Sequence, residues 1–245
     1  MEERHDHTLS LCWIKSSFPV LSGMEEKSMI KGIIFDLDGV LVSTDKLHFE
    51  AWKKLAQKLG IHDFTHEDNV RQKGVSRMES LEVVLEKTDN KYSAEEKEEF
   101  AETKNCYYVE MLKSLDSEAI LKDAKEALIM LRERGLKIAI GSVSKNAPII
   151  LERTGLIDFI DEVSCGLDIT RSKPDPEVFL VAADKLGLSY KECLVAEDSK
   201  AGIIAAKAAN MKTLGVGPDH MNLDADYQSE TLLSHVDWEK ILSKN

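Results

Sequence analysis

Two carboxylates spaced i, i+2, Asp36 and Asp38, close an apolar run in IIFDLDGVL and are followed at once by Gly39. On an extended chain they point to the same side, so their charges crowd together unless a cation or a proton neutralises them. Three further polar sets stand where strands are expected to end: Ser142 in KIAIGSVS, Lys173 in RSKPDP, and Glu197 with Asp198 in CLVAEDS. Ligands of open α/β sheets bind outside the carboxyl ends of the strands, so these sets are expected to converge in one cleft. Four carboxylates in one place call for a cation, and an all-oxygen set suits Mg²⁺; Asp36, Asp38, Glu197 and Asp198 are the expected ligands. Ser142 and Lys173 are a hydroxyl donor and a fixed positive charge rather than metal ligands. With Mg²⁺ and the loop amides after Asp36 they would surround a transferring phosphoryl group, making Asp36 a nucleophile that forms an aspartyl phosphate. Asp38 is expected to be the general acid and base, sitting away from the strongest field of the metal. Taken alone, each feature has a plainer reading: a surface DxD, a turn serine, a solvated lysine, a helix start at EDS capped by Ser199. Their conjunction in one ordered chain favours chemistry.

The elements that must position these residues can be read from periodicity. From Ile120 onward, helix and strand patterns alternate with short connections. DAKEALIMLRERG is helical with a stop at Gly135, KIAIGSVS is a strand, Pro148 sits in the first turn of a helix, and a helix over 176–186 ends at Gly187. CLVA, AGIIAAKAA and MKTLGV then read as strand, helix and strand. Repeated βα units imply a parallel sheet covered on both faces, an α/β fold. Between 46 and 115 the pattern turns purely helical. Trp52, Leu55, Ala56 and Leu59 form one stripe, and a helix over 93–112 carries a capping box at Ser93 and Glu96. An inserted helical block after the first strand is a cap or lid. The expected organisation is an extension over 1–29 that is poorly ordered, an α/β core over 30–45 and 116–245, and a cap over 46–115.

Composition narrows the partners. The chain has 245 residues and a net charge of −12, which argues against nucleic-acid binding, so any cations serving a phosphorylated ligand must be gathered locally. No apolar run is long enough to span a bilayer, and no membrane association is expected. Cys12, Cys106, Cys165 and Cys193 are widely spaced without a CxxC, which fits a reducing, cytoplasmic setting and indicates neither zinc nor disulfides. His5 and His7 read as solvated residues of a polar tail.

FDLDGVL, the GS pair at Gly141 and Ser142, the lysine of SKPDP and the acidic pair of EDS together resemble the haloacid dehalogenase-like phosphotransferases, over essentially residues 30–216. The resemblance implies a Rossmann-like core with a small helical cap, Mg²⁺ dependence and an Asp36 nucleophile. Within that superfamily the chain is most similar to the β-phosphoglucomutase branch. KGVSRMESL resembles that branch's cap loop, which implies substrate contacts from Gly74, Val75, Ser76 and Arg77, with Arg77 gripping the phosphate that is not transferred. GSVSKN resembles the core loop, with Ser142 and the Val143 amide on the transferring phosphate and Ser144, Lys145 and Asn146 near the distal one. His48, Trp52 and Lys104 match cap residues that face the sugar. The implied activity is conversion of β-D-glucose 1-phosphate to glucose 6-phosphate through a bisphosphate, by a monomer acting on a small sugar phosphate. The alternatives are a phosphatase of a small sugar phosphate or phosphoglycolate using the same Asp36, and a non-catalytic protein retaining the fold.

Overall fold

The computed structural model describes residues 29–72, 75–233 and 236–242; the extension up to residue 28 and the expected loop residues Lys73 and Gly74 lie outside the described residues. Strands β1 (Gly32–Phe35), β2 (Lys137–Gly141), β3 (Glu162–Ser164), β4 (Cys193–Glu197), β5 (Lys212–Val216) and β6 (Tyr227–Ser229) form one sheet in the order β3-β2-β1-β4-β5-β6. Every pairing is parallel. The chain reverses its direction of winding between β1 and β4, and such a switch point opens a crevice at the carboxyl ends of the strands.

Helices α1 (Asp45–Lys58), α2 (His66–Arg71), α3 (Arg77–Leu85) and α4 (Ala94–Leu112) fall between β1 and β2. Helices α5 (Ala124–Glu133), α6 (Ala147–Thr154), α7 (Glu177–Leu186), α8 (Lys200–Ala208) and α9 (Trp238–Leu242) accompany the sheet. Because side chains alternate along a strand, GIIF feeds both faces of the sheet. Ile33 and Phe35 pack with Leu128, Leu131, Ile150 and Leu151 of α5 and α6, while Ile34 packs with Phe179, Ala182 and Ala205 of α7 and α8. All of these are fully buried, at roughly 1.5–3 kcal/mol for each large aliphatic side chain. The cap has its own core, in which Trp52, Leu55 and Ala56 of α1 meet Leu81 and Val84 of α3 and Ala101 of α4. This is the α/β architecture with an inserted helical cap that the sequence pattern implies.

The expected strands and helices around β1, β2, β4 and β5 are present, and Gly187 ends α7 in the left-handed conformation. Sequence periodicity gives no sign of β3 and β6. Each is a three-residue strand at an edge of the sheet, too short to show alternation. The capping box at the start of α4 forms as expected: the Glu96 amide donates to Ser93 Oγ at 3.2 Å, and the Ser93 amide donates to Glu96 Oε2 at 2.7 Å. Ser93→Ala is therefore expected to cost about 1 kcal/mol in denaturant unfolding monitored by circular dichroism.

Candidate active site

Register brings the acidic residues together. Phe35 lies level with Ile140 on one side and Ala196 on the other, so Asp36, Gly141 and Glu197 leave the sheet in one row with Ser142 one step beyond. The Asp36 amide still donates to Ala196 O at 2.9 Å, which continues the ladder just past the strand and fixes where its side chain emerges. Lys173 arrives from the loop before α7. Its Nζ donates to Asp36 Oδ1 at 2.5 Å and to Glu197 Oε1 at 3.1 Å, with only 1 % of the side chain exposed.

Glu197 is held by the start of α8. Its Oε2 accepts from the amides of Asp198 (2.6 Å) and Ser199 (3.3 Å), and its Oε1 accepts from Ser199 Oγ (2.8 Å) as well as Lys173. Ser199 also caps α8 by accepting from the Gly202 amide, so the plainer reading of EDS as a helix start holds alongside its place in the site. Two glycines permit this closeness. A Cβ on Gly202 would lie 1.6 Å from Glu197 Oε1, and one on Gly39, whose φ is +86°, would lie 2.1 Å from Asp198 Oδ2.

Asp36, Glu197 and Asp198 bring carboxylate oxygens within 4.8 Å of one another. Burial pushes Asp36 well above the usual carboxylate range against the pull of Lys173, and Glu197 and Asp198 push it the same way. Burial pulls the Lys173 ammonium down, but Asp36 and Glu197 together hold it above the ordinary lysine value. Three carboxylates against one ammonium leave two negative charges, the complement of one divalent cation, and the donors are all oxygen. The residues present therefore fit Mg²⁺.

Asp38 departs from the expected ligand set. β1 stops at Phe35 and the chain turns, and although both aspartates border the same cleft, the Asp38 carboxylate is not among the three whose oxygens lie within 4.8 Å of one another. Asp38 Oδ1 accepts from Thr44 Oγ1, which in turn accepts from Tyr108 OH at 3.1 Å. Thr44 occupies the N-cap position of α1 yet makes no capping bond there, its hydroxyl being engaged with Asp38. Burial raises Asp38 to about 6 despite that hydrogen bond, which places it where it can hold or release a proton near neutrality.

The opposite wall adds two basic side chains, Arg77 and Lys104, among the carboxylates of Glu79, Glu98 and Glu102. A cleft of about 960 Å³ is lined by Asp36, Asp38, Ser142, Val143 and Asp198 on the core side and by His48, Trp52, Val75, Ser76, Arg77 and Lys104 on the cap side. Ser144, Lys145 and Asn146 line it too, whereas Lys173 stands behind the carboxylates. Lys104 is 3 % exposed, its Nζ lying 3.0 Å from His48 Nδ1 and 4.6 Å from the centre of the Trp52 ring. Burial, reinforced by Arg77 and opposed by Asp38, lowers Lys104 to about 7. Burial, with Lys104 and Arg77, holds His48 well below its ordinary value, so its ring is neutral. Ser76 caps α3, and this sets Arg77 at the first turn facing α4, where its Nη1 lies 3.2 Å from Glu102 Oε2 and its Nη2 donates to Asn105 Oδ1 at 2.9 Å.

Every expected site residue among the described ones thus borders this cleft or lies directly behind it. Sequence reasoning missed Tyr108, Glu102 and Asn105. Tyr108 reads as a helix core residue, and the other two as solvated faces of a charged helix; only the folding of α4 over the core makes them neighbours of Asp38, Arg77 and Asn146.

Both the fold and this cleft are those of one enzyme class. Residues 30–210 match the family model of the haloacid dehalogenase-like hydrolases, and the chain belongs to that family. It is 39 % identical over 219 residues to the β-phosphoglucomutase of Bacillus subtilis, covering 86 % of this chain and 96 % of that one. The crystal structure of a β-phosphoglucomutase from Clostridium difficile superposes with a TM-score of 0.80 at 39 % identity, over 87 % of this chain and 96 % of that one. A phosphorylated carbohydrates phosphatase of Thermotoga maritima is 30 % identical over 188 residues, covering 76 % of this chain and 84 % of that one. The protein is a member of an enzyme family whose relatives include both mutases and phosphatases. Among the described residues no helix is long and apolar enough to cross a membrane.

Alanine at position 202 tests the close approach of α8 to Glu197. A Gly→Ala change normally favours a helix by about 1 kcal/mol, yet here the methyl must displace the carboxylate. Gly202→Ala is expected to weaken Mg²⁺ binding about tenfold or more in calorimetric titration and to lower thermal stability as well, because the displaced Glu197 carboxylate is buried and accepts four hydrogen bonds.

Proposed function

We propose that the protein is a Mg²⁺-dependent phosphosugar mutase that interconverts β-D-glucose 1-phosphate and glucose 6-phosphate through glucose 1,6-bisphosphate. What supports this reading is the make-up of the cleft and the meeting of Arg77 with Asn146. The carboxylate centre, Ser142 and Val143 line one cleft with Arg77 and the Ser144–Asn146 loop, and Asn105 holds Arg77 and Asn146 side by side, which on this reading is a second anion site. A mutase must seat a bisphosphate in either of two orientations, and a guanidinium fork suits the phosphate that is not reacting. The 39 % identical mutase of Bacillus subtilis supports the same reading.

Asp36 attacks phosphorus through its carboxylate oxygen, the P–O bond to the sugar breaks, and an acyl phosphate forms on Asp36. Asp38 gives its proton to the departing sugar oxygen. In the return step the free C6 hydroxyl of β-glucose 1-phosphate attacks phosphorus, Asp38 takes up the hydroxyl proton, the P–O bond to Asp36 breaks, and glucose 1,6-bisphosphate forms as the Asp36 carboxylate is released. Ser142 and the Val143 amide donate to the phosphoryl oxygens, and Lys173 holds Asp36 in place from behind. Glu197 already accepts four hydrogen bonds, which use the lone pairs of an ionised carboxylate, so it orients the neighbouring Asp198. Asp36 and Asp198 would hold the cation directly. Bound there, Mg²⁺ would supply positive charge to the phosphoryl group and keep the carboxylates ionised. His48, Trp52 and Lys104 face the sugar from the cap, and the cap excludes water that would otherwise compete for the acyl phosphate.

A phosphatase reading is favoured by the 30 % identical carbohydrate phosphatase and needs only the Asp36 end of the cleft. Phosphorus NMR separates the two, because β-glucose 1-phosphate yields glucose 6-phosphate in one case and free phosphate in the other. Asp36→Ala is expected to abolish turnover. Arg77→Ala is expected to lower use of the bisphosphate about a hundredfold while leaving hydrolysis of a small monophosphate within about threefold, given one lost charge-assisted bidentate contact. Equal losses in both assays would sink the mutase assignment.

Lys104 adds a pH test. Its ammonium loses a proton near pH 7, so the free enzyme carries that cation below this value and loses it above. Measured kcat/KM for the sugar phosphate is expected to fall as pH rises through about 7. In Lys104→Arg the guanidinium stays charged and this limb moves well into the alkaline range.

A further inference from the structure

One side-chain oxygen on the cap is the meeting point of donors from both halves of the protein. Asn105 Oδ1, on α4, accepts from Arg77 Nη2 at 2.9 Å and from Asn146 Nδ2 at 2.9 Å. Arg77 belongs to the cap and Asn146 to the core, so the second bond crosses the cleft. Asn146 is 9 % exposed and holds the N-cap position of α6, where an asparagine side chain ordinarily accepts from an amide of the first turn. It makes no such bond; its amide reaches over to the cap instead. Asn105 Nδ2 in turn points at Glu102 Oε1, 3.4 Å away, which fixes the orientation of its amide and turns Oδ1 towards the two donors. The same two donors, the Arg77 guanidinium and the Asn146 amide, are those assigned above to the second phosphate.

We infer that Asn105 is a positioning residue that latches the cap to the core in the ligand-free enzyme, its carbonyl oxygen standing in for an oxygen of the second phosphate until ligand arrives and takes over both donors. The latch rests on the Asn146–Asn105 hydrogen bond alone, and only the take-over rests on the two-phosphate reading. The physical logic is an exchange of acceptors. A neutral amide oxygen holds two donors modestly, and a phosphate dianion holds the same donors more strongly, so ligand can displace the latch without the cap losing its tie to the core. Closure is then partly organised before substrate binds, and a ligand whose phosphate occupies only the Asp36 end of the cleft leaves Asn105 in possession of Arg77 and Asn146.

Small-angle X-ray scattering of the full-length, ligand-free protein tests the latch. Asn105→Leu removes the acceptor at similar volume and is expected to shift the closed-to-open ratio about fivefold towards open, through the loss of the one net hydrogen bond that spans cap and core, with a larger radius of gyration. Asn105→Asp keeps an oxygen acceptor and is expected to restore the wild-type radius. Far-ultraviolet circular dichroism confirms that both variants are folded, and should Asn105→Leu fail to fold, Asn146→Ala severs the same bridge from the core side. An unchanged radius in the variant lacking the bridge overturns the latch, whatever the enzyme's substrate. The take-over is read separately. With glucose 1,6-bisphosphate as probe, Asn105→Asp is expected to raise KM about tenfold with kcat little changed, because its carboxylate competes with phosphate for Arg77. Unchanged KM in that variant, while Arg77→Ala still loses bisphosphate selectively, overturns the take-over. If Arg77→Ala instead affects bisphosphate and monophosphate equally, the two-phosphate reading fails with it, and scattering still decides the latch.

Discussion

A buried ammonium organises the acidic centre. Lys173 Nζ lies within ion-pair distance of both Asp36 and Glu197, and it is sealed from solvent beneath them. Without that charge, three carboxylates at the ends of β1 and β4 would face one another in a medium that screens poorly, and protonation or separation would follow. With it, the cluster keeps a deficit of two positive charges that a divalent cation can fill. Lys173 can do this because the loop before α7 carries it behind the row of strand ends, and the Phe179 ring at 4.7 Å covers its other side.

Charges of both signs border the cleft. The acidic centre lies on the core side, and Arg77, Lys104, Lys145 and Arg171 border the same cleft beside the carboxylates of Glu79, Glu98 and Glu102, although the chain as a whole is strongly acidic. These basic side chains are the ones available to a phosphorylated ligand. Burial is the means of tuning on both sides: it raises Asp38 towards neutrality from below and lowers Lys104 towards neutrality from above. The Tyr108–Thr44–Asp38 chain ties the first of these groups to the cap helix α4, as Asn105 ties α4 to the core at Asn146. At both places an N-cap residue, Thr44 or Asn146, gives up its usual capping bond for one that spans cap and core. Local helix stability has been traded for a connection between two parts of the molecule that can move.

Much of the architecture was legible because it is written in short-range periodicity. GIIF, KIAIG, CLVAE and KTLGV are apolar runs bounded by polar loops, and their alternation with helical stripes announces a parallel sheet. The four motifs at the strand ends could be picked out because a parallel sheet delivers every such end to the same edge. The edge strands β3 and β6 were not legible, since three residues carry no period. Nor was the absence of the Asp38 carboxylate from the cluster of Asp36, Glu197 and Asp198, because a spacing of two predicts a shared side only while the chain stays extended, and here the strand ends at Phe35.

By itself, then, the sequence determined the fold class, the residues of the acidic centre and the class of chemistry they suit, since these depend on residue type and on order along the chain. Tertiary structure alone decided which carboxylates share a charge and which stands apart with Thr44. It also decided that burial lowers Lys104 to about 7 and holds His48 well below its ordinary value, and that Asn105 meets Arg77 and Asn146. The physical reason is that hydrogen bonds and burial act over a few ångströms, and contacts such as Asp36 with Lys173 or Asn105 with Asn146 join residues that the chain alone leaves far apart.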